Sequence, residues 1–493
     1  MLEQVYLDSF SKIVGTSNVH IKPEEKLIVS TPYRDGEGQL NFLAIIDPKN
    51  VNEIAAIVSY CAQENIAIVT QGGLTSLTKA SIPNPNLISR QQIILRMHRM
   101  NKMLEIISNT ENIPIAVKTQ PGITLHALNE ELKPYHVEVP IGLGIGFKAQ
   151  MGGIVSTNAG GTEAAFRGRP DSLVCALEVV TADGKIWNLP DADNQAPSLA
   201  DFIGQEGTTG IITNITITVV PIMVKRKVAF VETDTIQYMH ELLNIIKKHA
   251  AKYLNAFERI DNNVLNLMCH YFNKPDPFIK YRNDNKQAKY NILIELVSDN
   301  EKINLTEFIN NIIKEAKNDD YVQTVWIGKT EEEANDIWSY RQVKLTESLQ
   351  LRTKEIQGKI VAFDIGLAAG DHADFPSLSL ENKLKQLIPG IELYGFGHAA
   401  GGGAGGTYLH FDPIVPKDTS EEQIAALKKA IYEEISYRGG TISAEHGIGF
   451  YLTQAFKQYN HAAYSERLIR KQRLDPHNLL NPGKVIAIED VMK

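Results

Sequence analysis

Glycine placed at the ends of apolar runs constrains this chain more than any other feature. QGGLTS (71–76) directly follows the run IAIVT, and a Pro121-Gly122 turn follows IPIAVKT. MGGIVSTNAGG (151–161) and GQEGTTG (204–210) complete the set. Glycine lets the main chain take positive φ and lets a ligand approach the backbone. Successive backbone N–H groups in such turns form concavities that bind phosphate oxygens. Thr75, Ser76, Thr157, Asn158 and Thr208 add hydroxyl and amide donors beside them. Any one cluster reads equally well as a tight turn. Four in order point to a large, flat, phosphorylated ligand held by several loops at once.

The surrounding pattern predicts what carries those loops. Residues 42–73 read as strand, helix, strand, glycine turn: FLAII, a helix capped by Asn50 with Glu53 three residues on, then IAIVT. LVCALEVVTA and KIWNL flank Asp183-Gly184, a two-residue hairpin signal, and IITNITITVV alternates as a half-buried strand. The character changes after VKRK (224–227), where amphipathic helices such as QYMHELLNIIKKHA alternate with strands such as NILIELV. This predicts an α+β chain: a first domain over 1–225, a second α+β domain on an antiparallel sheet over 226–439, and a C-terminal segment, 440–493. At 493 residues, two or three domains are expected.

Composition excludes several classes. Fifty basic against 58 acidic side chains give a net charge of −8 with no basic stripe, so nucleic acid is not an expected partner. No apolar run approaches the roughly 18 residues that span a bilayer. Cys61, Cys175 and Cys269 are scattered without metal-ligand spacing, and no secretory signal is visible. A soluble, cytoplasmic protein in a reducing compartment is expected, with peripheral membrane association, an organelle and a homodimer left open.

GFGHAAGGGAGGTYLHFD (395–412) contains GxGxxG as Gly401, Gly403 and Gly406. A dinucleotide loop needs a strand before it and a helix after it. TYLHFDP is a β-like run ending in proline, so that reading fails on context.

QGGLTS, AQMGGIVSTNAGG, FRGRPDSLVCALEVVTADGKI, GQEGTTGIIT, SAEHGIG and LDPHNLLNPGK together resemble the FAD-linked oxidoreductases of the vanillyl-alcohol oxidase superfamily. The branch they are most similar to is the D-2-hydroxyacid dehydrogenases. The resemblance implies a two-part FAD-binding domain closed by the C-terminal segment, with an inserted α+β cap domain built on an antiparallel sheet. It implies that Gly72, Gly73, Thr75 and Ser76 hold the FAD pyrophosphate, and that Gly152, Gly153, Thr157, Asn158, Ala159 and Gly160 run beside the ring system and ribityl chain. Glu206, Gly207 and Ile212 are implied near the adenine half, and Asn481 near the flavin. The family carries arginine and a third glycine where this chain has Gln71 and Leu74.

Oxidation of a hydroxyacid needs a cation for the carboxylate, a group that acidifies the hydroxyl, and a base. The resemblance implies His446 as base and Arg341, in IWSYRQ, as carboxylate clamp. It implies His398, His410 and Glu445 as ligands of a divalent metal; two imidazoles and a carboxylate suit zinc or manganese. Two departures stand out. The histidines lie 410 − 398 = 12 residues apart around a glycine run, a longer span than the family's His–Gly-Asp-Gly-Asn–His turn. Ala362 and Ala368 replace the family's lysine and proline around Asp364, with Lys359 off register. The expected activity is FAD-dependent oxidation of a small, D-lactate-like D-2-hydroxyacid to the 2-oxoacid. The electron acceptor is open among oxygen, a quinone, a cytochrome and another flavoprotein. Two alternatives stand beside this: metal-independent oxidation of another alcohol or sugar acid, and a non-catalytic flavin-binding subunit.

Overall fold

The computed structural model describes residues 2–32, 37–162, 164–282, 286–367, 375–398 and 407–491. The glycine run at 399–406 and Ala368 lie outside them. The chain divides into two compact units. The first comprises Met1–Gly160, Arg169–Pro221 and Glu445–Lys493; the second comprises Gly161–Gly168 and Ile222–Ala444.

In the first unit, β1 (Val19–His20), β2 (Ala44–Ile46), β3 (Ala67–Gln71) and β4 (Gln92–Arg96) form a sheet in the order β1-β2-β4-β3. β2, β4 and β3 run parallel. Parallel strands of one sheet need a crossover, and helix Val51–Gln63 supplies it from β2 to β3, which flank β4. Its start is fixed as the sequence predicts: Asn50 Oδ1 accepts the Glu53 N–H at 2.9 Å, while the Glu53 carboxylate takes the Lys49 N–H. Next come β5 (Met103–Ser108), β6 (Pro114–Thr119), β7 (Val137–Glu138), β8 (Val174–Val180), β9 (Ile186–Leu189), β10 (Ile211–Thr218) and β11 (Val220–Pro221). Five of them form an antiparallel sheet, β5-β6-β10-β8-β9, and β7 pairs with β11 as a short ribbon. The 183–184 hairpin joins β8 to β9 as expected. The C-terminal segment enters the first sheet's core through Leu479 and Leu480, both buried in the same cluster as Ile68 and Cys61, and Ile68 N–H donates to Leu479 O.

The second unit is built on a seven-stranded sheet. Its strands are β12 (Lys225–Thr233), β13 (Leu254–Asp261), β14 (Tyr290–Ser298), β15 (Val325–Ile327), β17 (Phe363–Leu367), β18 (Gly395–His398) and β19 (Thr407–Phe411). Their order is β15-β12-β14-β13-β18-β19-β17, antiparallel throughout. β16 (Lys359–Ile360) and β20 (Ile414–Val415) pair separately. Period-two alternation sends Phe257 to one core, under helices Ile236–Ala250 and Leu305–Asn318. Ile260 and Phe396 go to the other, with Val264, Ile337 and Leu345.

The boundaries differ from 225/226 and 439/440 for a hydrogen-bonding reason. VKRK opens β12, so its residues pair inside the second sheet. Residues 441–444 also stay with the second unit. Thr441 and Gly366 exchange backbone bonds at 2.8 and 3.0 Å, and Ala444 N–H reaches Asp364 O.

Candidate active site

A cavity of about 300 Å³ opens in the first unit where the glycine loops converge. Thr70 of β3 lines it with Gly72, Gly73, Thr75 and Ser76 just after that strand, Gly152, Gly153, Thr157, Ala159 and Gly160 from helix Met151–Thr157 and its exit, and Glu206 and Gly207 from the approach to β10 with Ile212 of that strand. Asn481, Glu445 and His446 come from the C-terminal segment. Every cofactor residue expected from the sequence lines this cavity except Asn158. Asn158 caps the helix in the left-handed conformation, φ 50°, and its side chain is bonded to Asp171.

Close packing, not side-chain chemistry, shapes the first loop. A Cβ on Gly73 would lie 2.0 Å from the Lys148 carbonyl oxygen, so the loop passes the 148–149 backbone only as glycine. Gln71 is buried, and its Nε2 donates to Val29 O at 2.9 Å and Ser81 O at 2.7 Å, tying the two ends of the loop together. Leu74, where the family has its third glycine, adopts φ +55°. The backbone keeps the left-handed turn and accepts the strain of a branched side chain there.

Glu206 is buried, and its carboxylate accepts the Ile448 and Gly449 N–H groups at 2.6 and 2.8 Å. Burial raises its carboxyl above the ordinary range, against the pull of Arg467 and of those two N–H groups. Its own carbonyl accepts Asn481 Nδ2 at 2.7 Å. Asn481 and Glu206 therefore stitch the C-terminal segment to the 204–210 loop. Beside them, burial pushes the Lys484 ammonium down to about 7, with Glu206 pulling the other way. The carboxylate of Glu445 lies against Gly160, where any Cβ would come within 2.5 Å of its Oε1.

FAD fits this cavity on two observations. Thr70 Oγ1 and Gln150 Oε1 are buried in its lining with no hydrogen-bond partner among the described residues, and buried polar groups are otherwise nearly always paired. The glycine loops expose backbone to it from three elements, the arrangement a long phosphorylated ligand requires.

Of the remaining expected residues, His398 and His410 lie on one face of the second unit's sheet. Glu258 on β13 sits opposite His398 on β18. Tyr408 sits opposite His398, and His410, two residues along β19, shares that face and stands opposite Asp364 on β17. The His410 ring lies 5.2 Å from that of Phe396. Arg341, just beyond helix Glu331–Ser339, donates Nε–H to Glu258 Oε2 at 2.7 Å and places its guanidinium 5.2 Å from the Phe396 ring centre. His398 Nδ1 contacts the other carboxylate oxygen, Glu258 Oε1. Burial alone would raise the Glu258 carboxyl, but His398 and Arg341 overcome this and hold it at about 2.

Glu258 was not singled out in the sequence. Its signal is a glutamate at a core-facing position of the strand LNAFERID, where a charge is rarely tolerated without partners. Of the three expected metal ligands, His398 and His410 belong to the second unit and Glu445 to the first. A ring nitrogen held by a carboxylate, as in His398, is the outer support that metal-binding imidazoles commonly have, so this histidine fits the role.

Loops that fit FAD and a histidine in the same cavity wall define an FAD-dependent oxidoreductase. A family model for a FAD binding domain matches residues 42–190, and one for the C-terminal domain of FAD linked oxidases matches 223–485. The chain belongs to the FAD linked oxidases. It is 26% identical over 487 residues to the probable D-2-hydroxyglutarate dehydrogenase, mitochondrial, of Oryza sativa subsp. indica, covering 97% of this chain and 81% of that protein. It is 28% identical over 455 residues to the D-2-hydroxyglutarate dehydrogenase, mitochondrial, of Danio rerio, covering 90% and 78%. The solved structure of p-cresol methylhydroxylase with substrate bound shares the fold, with a TM-score of 0.71 at 14% identity over 99% of this chain and 98% of that one. Among the described residues, no helix is long and apolar enough to cross a membrane.

Proposed function

We propose that the protein oxidises a small D-2-hydroxyacid to the 2-oxoacid. The observation that carries this reading is His446 in the wall of the FAD cavity. An imidazole near neutrality is suited to take the proton of a substrate hydroxyl. Gly72, Gly73, Thr75 and Ser76 would hold the pyrophosphate, and bound FAD supplies the acceptor for the substrate's hydride. Arg341 holds the substrate carboxylate through its planar fork. His398, His410 and Glu445 would bind a zinc or manganese ion, which supplies Lewis-acid polarisation of the substrate oxygen. The relatives named as D-2-hydroxyglutarate dehydrogenases support the hydroxyacid class.

Anaerobic titration of the oxidised protein with D- and L-2-hydroxyacids tests this. Bleaching of the flavin spectrum by a D-acid is expected, and a spectrum unchanged by every hydroxyacid overturns it. A second reading, metal-independent oxidation of another alcohol or a sugar acid, is favoured by the 12-residue span from His398 to His410, longer than the family's turn. Turnover that survives exhaustive chelation supports that second reading.

A further inference from the structure

We propose that Glu258 is a positioning residue that sets His398 and Arg341 together through one carboxylate; this rests on the roles given to those two residues above. The register puts Glu258 directly opposite His398, and the two oxygens are divided: Oε1 to His398 Nδ1, Oε2 to Arg341 Nε. The Glu258 side chain is fully buried, so no water competes for either bond.

Each bond dictates a chemical outcome. A carboxylate accepts and does not donate, so His398 carries its proton on Nδ1 and presents Nε2 as the ligating lone pair. Arg341 is held through Nε, and among the described residues its guanidinium makes no other hydrogen bond. Its two terminal Nη groups then form the edge that meets a carboxylate bidentately. The Phe396 ring, its centre 5.2 Å from the guanidinium, adds a cation–π contact that favours this placement. One buried group thus sets both a tautomer and a cation's orientation. Its loss is expected to act on substrate binding through Arg341, not on the flavin cavity, which belongs to the first unit.

The test is a double-mutant cycle with Glu258→Gln and Arg341→Met, reading KM, kcat and flavin content. Glutamine keeps the volume but offers one acceptor and a donor in place of two acceptors. In the otherwise native protein, E258Q is expected to raise KM for the D-2-hydroxyacid about tenfold to a hundredfold, with FAD content unchanged. In the R341M background the same change should add less than about threefold, because the group it orients is gone. A normal KM in E258Q, or an E258Q effect that multiplies in full onto R341M, overturns the proposal. If E258Q does not fold, nitrogen-15 histidine NMR of the unmutated protein decides, with the His398 signals identified by their loss in His398→Gln. Protonation at Nδ1 is expected, and a neutral ring protonated at Nε2 overturns the proposal. An unmutated protein whose flavin no D-2-hydroxyacid bleaches sinks the functional reading instead. An R341M protein with normal KM sinks the clamp. Neither of those results moves the His398 tautomer, so the failures are distinguishable.

Discussion

The two units build their sites from different materials. In the first, the cavity is shaped by main chain: glycine where backbones nearly touch, a left-handed turn at Leu74, and Gln71 serving as a brace. In the second, His398 and His410 are side chains on one sheet face, and His398 and Arg341 share a single buried carboxylate. The difference teaches where substitution is tolerated. A backbone site accepts a changed side chain as long as φ, ψ and clearance survive. A site of paired side chains loses several functions when one partner is removed, because a buried charge left alone is costly.

Activity separates the units most sharply. His446→Asn should slow flavin reduction by about 10²–10⁴-fold while FAD stays bound, read by anaerobic stopped-flow. Retention of the full rate removes His446 from the chemistry. Arg341→Met should come next, raising KM about tenfold to a hundredfold, the cost of one charge-assisted contact, with FAD content unaffected. An R341M protein purified without flavin would mean that the units are not separable in this way.

Stability effects follow. Gly73→Ala forces a methyl against the Lys148 carbonyl, and overpacking of this kind costs about 1–3 kcal/mol, with a fall in bound FAD. A holoprotein with unchanged melting temperature would contradict the close approach. A smaller effect is expected from Lys484. Its ammonium titrates near 7 in the folded chain, below the ordinary 10.5 of an unfolded lysine. Between those values the unfolded chain binds more protons, so this group makes stability rise with pH from about 7 upward. Lys484→Met should flatten that rise in urea midpoints measured from pH 7 to 9.5.

The same contrast explains what could be read from the sequence. The glycine clusters, the Asn50 cap and the 183–184 hairpin are local signals, and each is found where its residues predicted. The antiparallel sheet was legible from alternation, but its order, β15-β12-β14-β13-β18-β19-β17, was not. Register between distant strands decides that His398 faces Glu258 and that His410 faces Asp364, and no local pattern carries it. Asn158 shows the converse: an amide within a glycine-rich motif whose helix-capping geometry turns its side chain to Asp171.

Leu74 gives the finest test of the contrast. A branched residue at φ +55° is strained by about 1–3 kcal/mol, and glycine there would relieve it. Against this, glycine adds about 0.4–1 kcal/mol of unfolded-chain entropy and gives up the half-buried leucine side chain. The terms oppose, so Leu74→Gly should shift stability by less than about 1 kcal/mol and keep FAD, while Leu74→Pro, which cannot take positive φ, should lose it. If Leu74→Gly loses FAD with its fold intact, the leucine side chain is itself a cofactor contact. The first unit's cavity would then depend on a side chain as the second unit's face does.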